Sequence, residues 1–185
     1  MSLIAALLLM SGATFDLDPA YKPIKDQLAP ARAGKIQCHE PDVAARTCRM
    51  MTWFSEGADG RVQARQLTAL ADNPSLAAEL RIGLTREGAA FCGVVDDSYM
   101  AGFRIVSGRA PYPPADNKRY AILYREGLLA TLWNRKTCSY AFARPDDDMQ
   151  LEVGTVDGEF AGELMASYIW IDAGAGFRLK ARPQV

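Results

Sequence analysis

The sequence predicts an α+β domain: a mainly antiparallel sheet built from hairpins, with one principal helix packed on it and two disulfides. Three observations carry this. Short runs rich in β-branched and aromatic residues recur from Lys35 onward, separated by turn residues. A single stretch, Asp116 to Leu132, has helical spacing. Four cysteines stand at 38, 48, 92 and 138.

Taken in order, residues 1–13 read as a signal peptide. The run Leu3-Ile4-Ala5-Ala6-Leu7-Leu8-Leu9-Met10 is of signal-core length and well short of the ~20 residues that span a bilayer as a helix. Ser11-Gly12-Ala13 supplies small residues for cleavage after Ala13, although no Lys or Arg precedes the apolar run. A buried N-terminal strand or helix is the competing reading. Residues 14–34, with Pro19, Pro23 and Pro30, read as an extended, solvated lead-in, Ile24 to Leu28 offering at most one helical turn. Residues 35–185 then form one domain.

Within it, Ile36-Gln37-Cys38 leads through a Pro41-Asp42 loop to a strand at Thr47 to Phe54. The turn Gly57-Ala58-Asp59-Gly60 returns it as a hairpin through Arg61 to Leu70. After Asn73-Pro74, Leu80 to Thr85 alternates with period two, and a second hairpin turns at Arg86-Glu87-Gly88 into Ala89 to Val95. Asp96 to Ser98 supplies a helix cap for a short turn, ahead of a strand at Phe103 to Val106. Asp116 or Asn117 caps the principal helix, whose weak point is Gly127; a hairpin turning at Glu126-Gly127 is the alternative. The remainder is β again, at Thr137 to Ala143, Met149 to Val156, Leu164 to Ile171 and Phe177 to Lys180, with Asp157-Gly158 as a hairpin turn.

Four cysteines allow three pairings, and proximity favours Cys38 with Cys48 and Cys92 with Cys138. On the chain-entropy model these loops contribute roughly 3 and 4 kcal/mol. Zinc is disfavoured because no pair shows the short spacing of structural sites, and no Cys-x-x-Cys redox motif is present. The sequence calls for no metal and no cofactor.

Candidate chemistry is thin. His39, the only histidine, would serve as a general base only with a nucleophile and carboxylate brought from elsewhere. Its ordinary reading is an exposed residue of a disulfide-closed loop. Asp146-Asp147-Asp148 lacks the ligand spacing of a calcium loop and reads as a solvated turn, as Asp96-Asp97 reads as a helix start. Tyr112, Arg119 and Tyr120, beside the proline-stiff Pro111-Tyr112-Pro113-Pro114, form the candidate contact surface; the ordinary reading is a rigid loop feeding a helix whose tyrosines help fill the core. Trp53, Trp133 and Trp170 read as core or half-buried sheet residues.

Net charge of −1 gives no basic field for nucleic acid, and no transmembrane segment is read. The succession Ile36-Gln37-Cys38, Thr47-Cys48-Arg49, Arg86 to Gly93, Lys136 to Tyr140, Ile169-Trp170-Ile171 and Gly176-Phe177-Arg178 resembles a group of small exported bacterial proteins with four cysteines. That resemblance implies a shared disulfide-bonded fold and brings no activity or functional residue with it. The expectation is therefore a periplasmic or secreted cell-envelope protein, non-enzymatic, structural or binding an envelope protein partner. A secreted hydrolase using carboxylates and a small-ligand carrier are the alternatives. The carrier would need an apolar cavity.

Overall fold

Eight strands pair in chain order around a ring. In the computed structural model, which describes residues 17–181 apart from 73–74, 108–109 and 128, they are β1 (Lys35–His39), β2 (Met50–Glu56), β3 (Val62–Asp72), β4 (Ser75–Glu87), β5 (Ala90–Val94), β6 (Lys136–Ala143), β7 (Gln150–Val156) and β8 (Glu159–Asp172). Each is antiparallel to the next. The ring closes because β8 pairs with β1, Ile171 opposite Ile36 and Tyr168 opposite His39. The molecule is thus an eight-stranded up-and-down β-barrel.

This overturns the α+β expectation. The strands and hairpin turns fall close to where the sequence places them, but they curl into a wall that buries its own inner face instead of lying open under a helix. The expected principal helix is α3 (Pro114–Glu126), which ends at Gly127 and has no fully buried residue; a separate 3-10 turn follows at Ala130–Leu132. The helix is too polar to be the second layer of a domain. It belongs to an insertion between β5 and β6 that packs over one end of the barrel.

That insertion is built from local chemistry. The Asp96 carboxylate accepts hydrogen bonds from the backbone N–H groups of Ser98 and Tyr99, starting α2 (Asp97–Met100) as the sequence suggests. The strand Arg104–Ser107 then pairs with Leu76 to Glu79 of β4. Asn117 ties α3 to that strand, its side chain accepting from the Ile105 N–H at 2.5 Å and donating to the Phe103 carbonyl at 3.3 Å. Tyr99, Phe103 and Tyr124 pack on Leu80 and Ile82, and Leu129 and Leu132 pack with Val95 and Val156. This is the upper end of the barrel.

The lower end is closed by the segment before β1. Lys22–Pro23 pairs with Ala143 and Phe142 of β6, and the chain then winds through α1 (Ala29–Arg32). Leu28 is 2% exposed, wedged with Val62 and Phe91 between the strand ends. A segment expected to be solvated therefore supplies a core residue, because the open base of the barrel offers an apolar seat that the sequence pattern cannot reveal.

One disulfide holds accessory cover outside the wall, and a second staples two strands of the wall itself. Cys38 of β1 bonds Cys48 in the strand Thr47–Cys48, which pairs in parallel with Arg178–Leu179. With Ile36, Met51, Ile171 and Phe177 they form a small outer core. Cys92 bonds Cys138 directly across the β5–β6 pair. Both pairings are those that proximity favours. Elsewhere the outer face is charged: Glu79, 1% exposed, accepts from Arg65 and Arg104, with Arg81 within 3.5 Å. Among the described residues no helix is long and apolar enough to cross a membrane.

Candidate functional site

Alternation along the strands decides what faces the interior. On β1, Ile36 and Cys38 point outward to the small outer core, leaving Gln37 and His39 inside. The same parity puts Met50, Thr52 and Phe54 of β2, Ala64 and Gln66 of β3, and Ile82 and Leu84 of β4 inside. Phe91, Ser139, Glu152, Tyr168 and Trp170 complete the inner face from β5 to β8.

These side chains do not fill the lumen. Most of them surround a cavity of about 440 Å³, although Thr52, Tyr168 and Trp170 do not line it. Its lining includes the hydrocarbon of Phe54, Ile82, Leu84, Phe91 and Leu132. It also includes the polar groups of Gln37, His39, Gln66, Ser139 and Glu152. Gln37, Thr52 and Gln66 lie in one register row across three neighbouring strands.

The cavity meets solvent beside a bulge. Gly154 pairs with Ala161 and Glu152 with Ala166, so β8 sets residues 162–165 against Val153 alone. The looped-out stretch folds Leu164 against Gly154, where a Cβ would lie 2.4 Å from that of Leu164; only glycine accepts this approach. Glu163 and Met165 on the bulge are exposed, as is Glu40 at the end of β1, and all three border the cavity.

Glu152 and His39 are the chemical centre. Glu152 accepts a hydrogen bond from the Ser139 hydroxyl, and its Oε2 lies 3.7 Å from His39 Nδ1, too far for a hydrogen bond. Both ring nitrogens of His39 and the Thr52 hydroxyl are buried without a hydrogen-bond partner among the described residues. Removal from water pushes the imidazole pKa down, outweighing the opposite pull of the Glu152 and Glu40 carboxylates, so His39 is neutral at pH 7. Tyr168, its ring centroid 5.6 Å from that of His39, is pushed up by burial and then by the negative charge of Glu152. Tyr99 is raised by burial, with Tyr124 and Glu152 adding to the effect.

His39 is therefore not the exposed loop residue its neighbours in sequence suggest: it closes β1 and is 4% exposed. The Ser139 hydroxyl donates to Glu152 and not to His39, so no triad forms around it among the described residues. Sequence reasoning passed over Gln37, Thr52, Gln66, Ser139, Glu152 and Tyr168. Their signal is polar residues at alternate positions of a strand, which is also how a solvated sheet face looks.

The remaining candidates lie elsewhere. Tyr112 and Tyr120 are half-buried, edge to face at 5.9 Å and packed on the core, while Arg119 is exposed. Asp146, Asp147 and Asp148 are exposed in the β6–β7 turn, Asp147 accepting from the Met149 N–H. Trp53 points outward beneath Arg65, Trp133 lies beneath Arg125, and Trp170 faces inward, donating to Gln150. Glu87 lies close to Cys92 and Cys138, but their sulfurs are bonded to each other and offer no thiolate. No family model, no curated protein and no solved structure matches the chain.

Proposed function

We propose that this protein is a carrier or receptor for a small molecule, which it holds inside the barrel. One observation carries the reading: a cavity of about 440 Å³ whose lining includes His39, both ring nitrogens of which are buried without a hydrogen-bond partner among the described residues. The size falls within the ~300–1,000 Å³ usual for small-molecule sites, and an eight-stranded barrel is just wide enough to hold one small ligand. Each buried polar group left unmatched costs about 1–3 kcal/mol, a cost a ligand with complementary groups removes.

The other expectations have less behind them. Protein binding through Tyr112, Arg119 and Tyr120 would rely mainly on Arg119, since both tyrosine rings pack inward. Hydrolysis would draw on Glu152 with Glu40 or Glu163, but the Ser139 hydroxyl donates to Glu152 and not to His39, so no serine–histidine pair forms among the described residues. A periplasmic or secreted location suits two disulfides, which persist in oxidising compartments. The ionic outer face around Glu79 suits water better than lipid.

Titration with the neutral dye Nile red tests the reading. Saturable one-to-one binding, lost when Ala64→Phe fills the cavity and retained in Arg119→Ala, supports it. Absence of binding, or equal binding to Ala64→Phe, overturns it.

A further inference from the structure

The lining of the cavity carries a charge imbalance that bears on what it takes. Glu40, Glu152 and Glu163 border it, and no Lys or Arg does so among the described residues. A neutral His39 leaves the Glu152 charge uncompensated, although its Nδ1 is only 3.7 Å from Oε2. A half-buried carboxylate supported by one hydroxyl has acceptor capacity left over for a further donor.

We propose that the ligand is an organic cation, an amine with a compact apolar body, its ammonium group seated between Glu152 and His39. This rests on the small-molecule reading and specifies its chemistry. An ammonium brings three donors and no acceptor. Glu152 Oε2 takes one, and the unprotonated nitrogen of His39, unpartnered and buried, takes a second. Gln37 and Gln66, which also line the cavity, offer a side-chain carbonyl for the third. The apolar body lies against Phe54, Ile82, Leu84 and Phe91. Glu40 and Glu163, exposed at the mouth, favour the approach of a cation and oppose that of an anion. A carboxylate ligand of the same shape would meet three like charges and find no cation to pair with.

The test is a matched series measured by calorimetry at pH 7.5 and low salt: 4-phenylbutylamine, 4-phenylbutanol and 4-phenylbutyrate. The amine is expected to bind at least tenfold more tightly than the alcohol, and the carboxylate most weakly. Glu152→Gln should bring the amine affinity down to that of the alcohol. If that variant does not fold, Glu40→Gln with Glu163→Gln, both exposed, should weaken amine binding severalfold at low salt and shrink its advantage over the alcohol. Alcohol binding equal to or tighter than amine binding overturns the cation assignment and leaves the carrier reading standing. So does failure of the amine to bind a protein that takes up Nile red. Failure of the whole series and of Nile red overturns both.

Discussion

Cys92 and Cys138 face each other across β5 and β6 with their Cα atoms 4.1 Å apart, at the seam where the insertion leaves one strand and returns to the next. The bond closes a longer loop than Cys38–Cys48, with a sequence separation of 46 against 10. Replacing Cys92 and Cys138 together with Ala should therefore cost about 4 kcal/mol, and replacing Cys38 and Cys48 about 3 kcal/mol. Urea denaturation midpoints in the reverse order would refute the ranking. Non-reducing peptide mapping of the same protein should find both pairs and no Cys48–Cys92 peptide.

Gly154 is held to glycine by Leu164. Gly154→Ala should destabilise by about 1–3 kcal/mol, because the added Cβ falls 2.4 Å from the Leu164 Cβ. Combining it with Leu164→Gly removes the obstructing atoms, and a double-mutant cycle should show a coupling of about 1 kcal/mol or more. Strict additivity would mean that the bulge does not pack as described.

His39 makes stability depend on pH below about 6.5. It is packed with the Glu152 and Glu40 carboxylates and with Tyr168, and its folded pKa lies below the ordinary value of 6.5. The unfolded chain therefore binds the proton more readily. The contribution of a neutral His39 is fully present above about pH 6.5 and is lost as pH falls from there toward the folded value. His39→Gln should flatten this part of the profile. As the sole histidine, it can be followed directly by its imidazole NMR signals. A titration midpoint above 6.5 in the folded protein would contradict the assignment.

Glu79 acts in a different range. Burial alone would raise its carboxyl, but hydrogen bonds and charge from Arg65 and Arg104 hold it at about 2, below its ordinary 4.5. Its contribution is present above about pH 4.5 and lost as pH falls toward 2. Glu79→Gln, which leaves Arg65, Arg81 and Arg104 around a neutral amide, should cost on the order of 2–3 kcal/mol at pH 7 and much less at pH 2.5. Equal losses at both pH values would count against it.

Asn117 should behave as a local anchor. Asn117→Ala removes the acceptor for the Ile105 N–H and the donor to the Phe103 carbonyl, at a cost of about 1–3 kcal/mol. Hydrogen exchange should accelerate at Ile105 and in α3 while β1 to β3 keep their protection. Uniform acceleration would show that the insertion and barrel open as one unit.

Much of the wall was legible in the sequence because its signals are local. The hairpin turn at Asp157-Gly158 has both residues at positive φ, 51° and 89°, as the dipeptide suggests, and Asp96 caps α2. Closure was not legible. It depends on β8 meeting β1, and no short-range pattern records whether a meander stays open or returns to its first strand. The site was hidden for a related reason: Gln37, Thr52 and Gln66 look like the wet side of a sheet until the sheet is known to curl around them. In α3 the apolar residues of the sequence misled, since Ile122 and Leu123 are 41% and 55% exposed.

The pairing of Ile36 with Ile171 also governs how the chain must be assembled. The first strand waits for the last, so loop closure across most of the domain precedes completion of the ring, and folding should be slow beside that of proteins rich in local contacts. Until β8 arrives, β1 and β7 each present an unpaired edge that can recruit a strand from another molecule. A chain stopped after Val156 should accordingly aggregate even though both disulfide pairs are already present, a vulnerability that ends when the last strand docks.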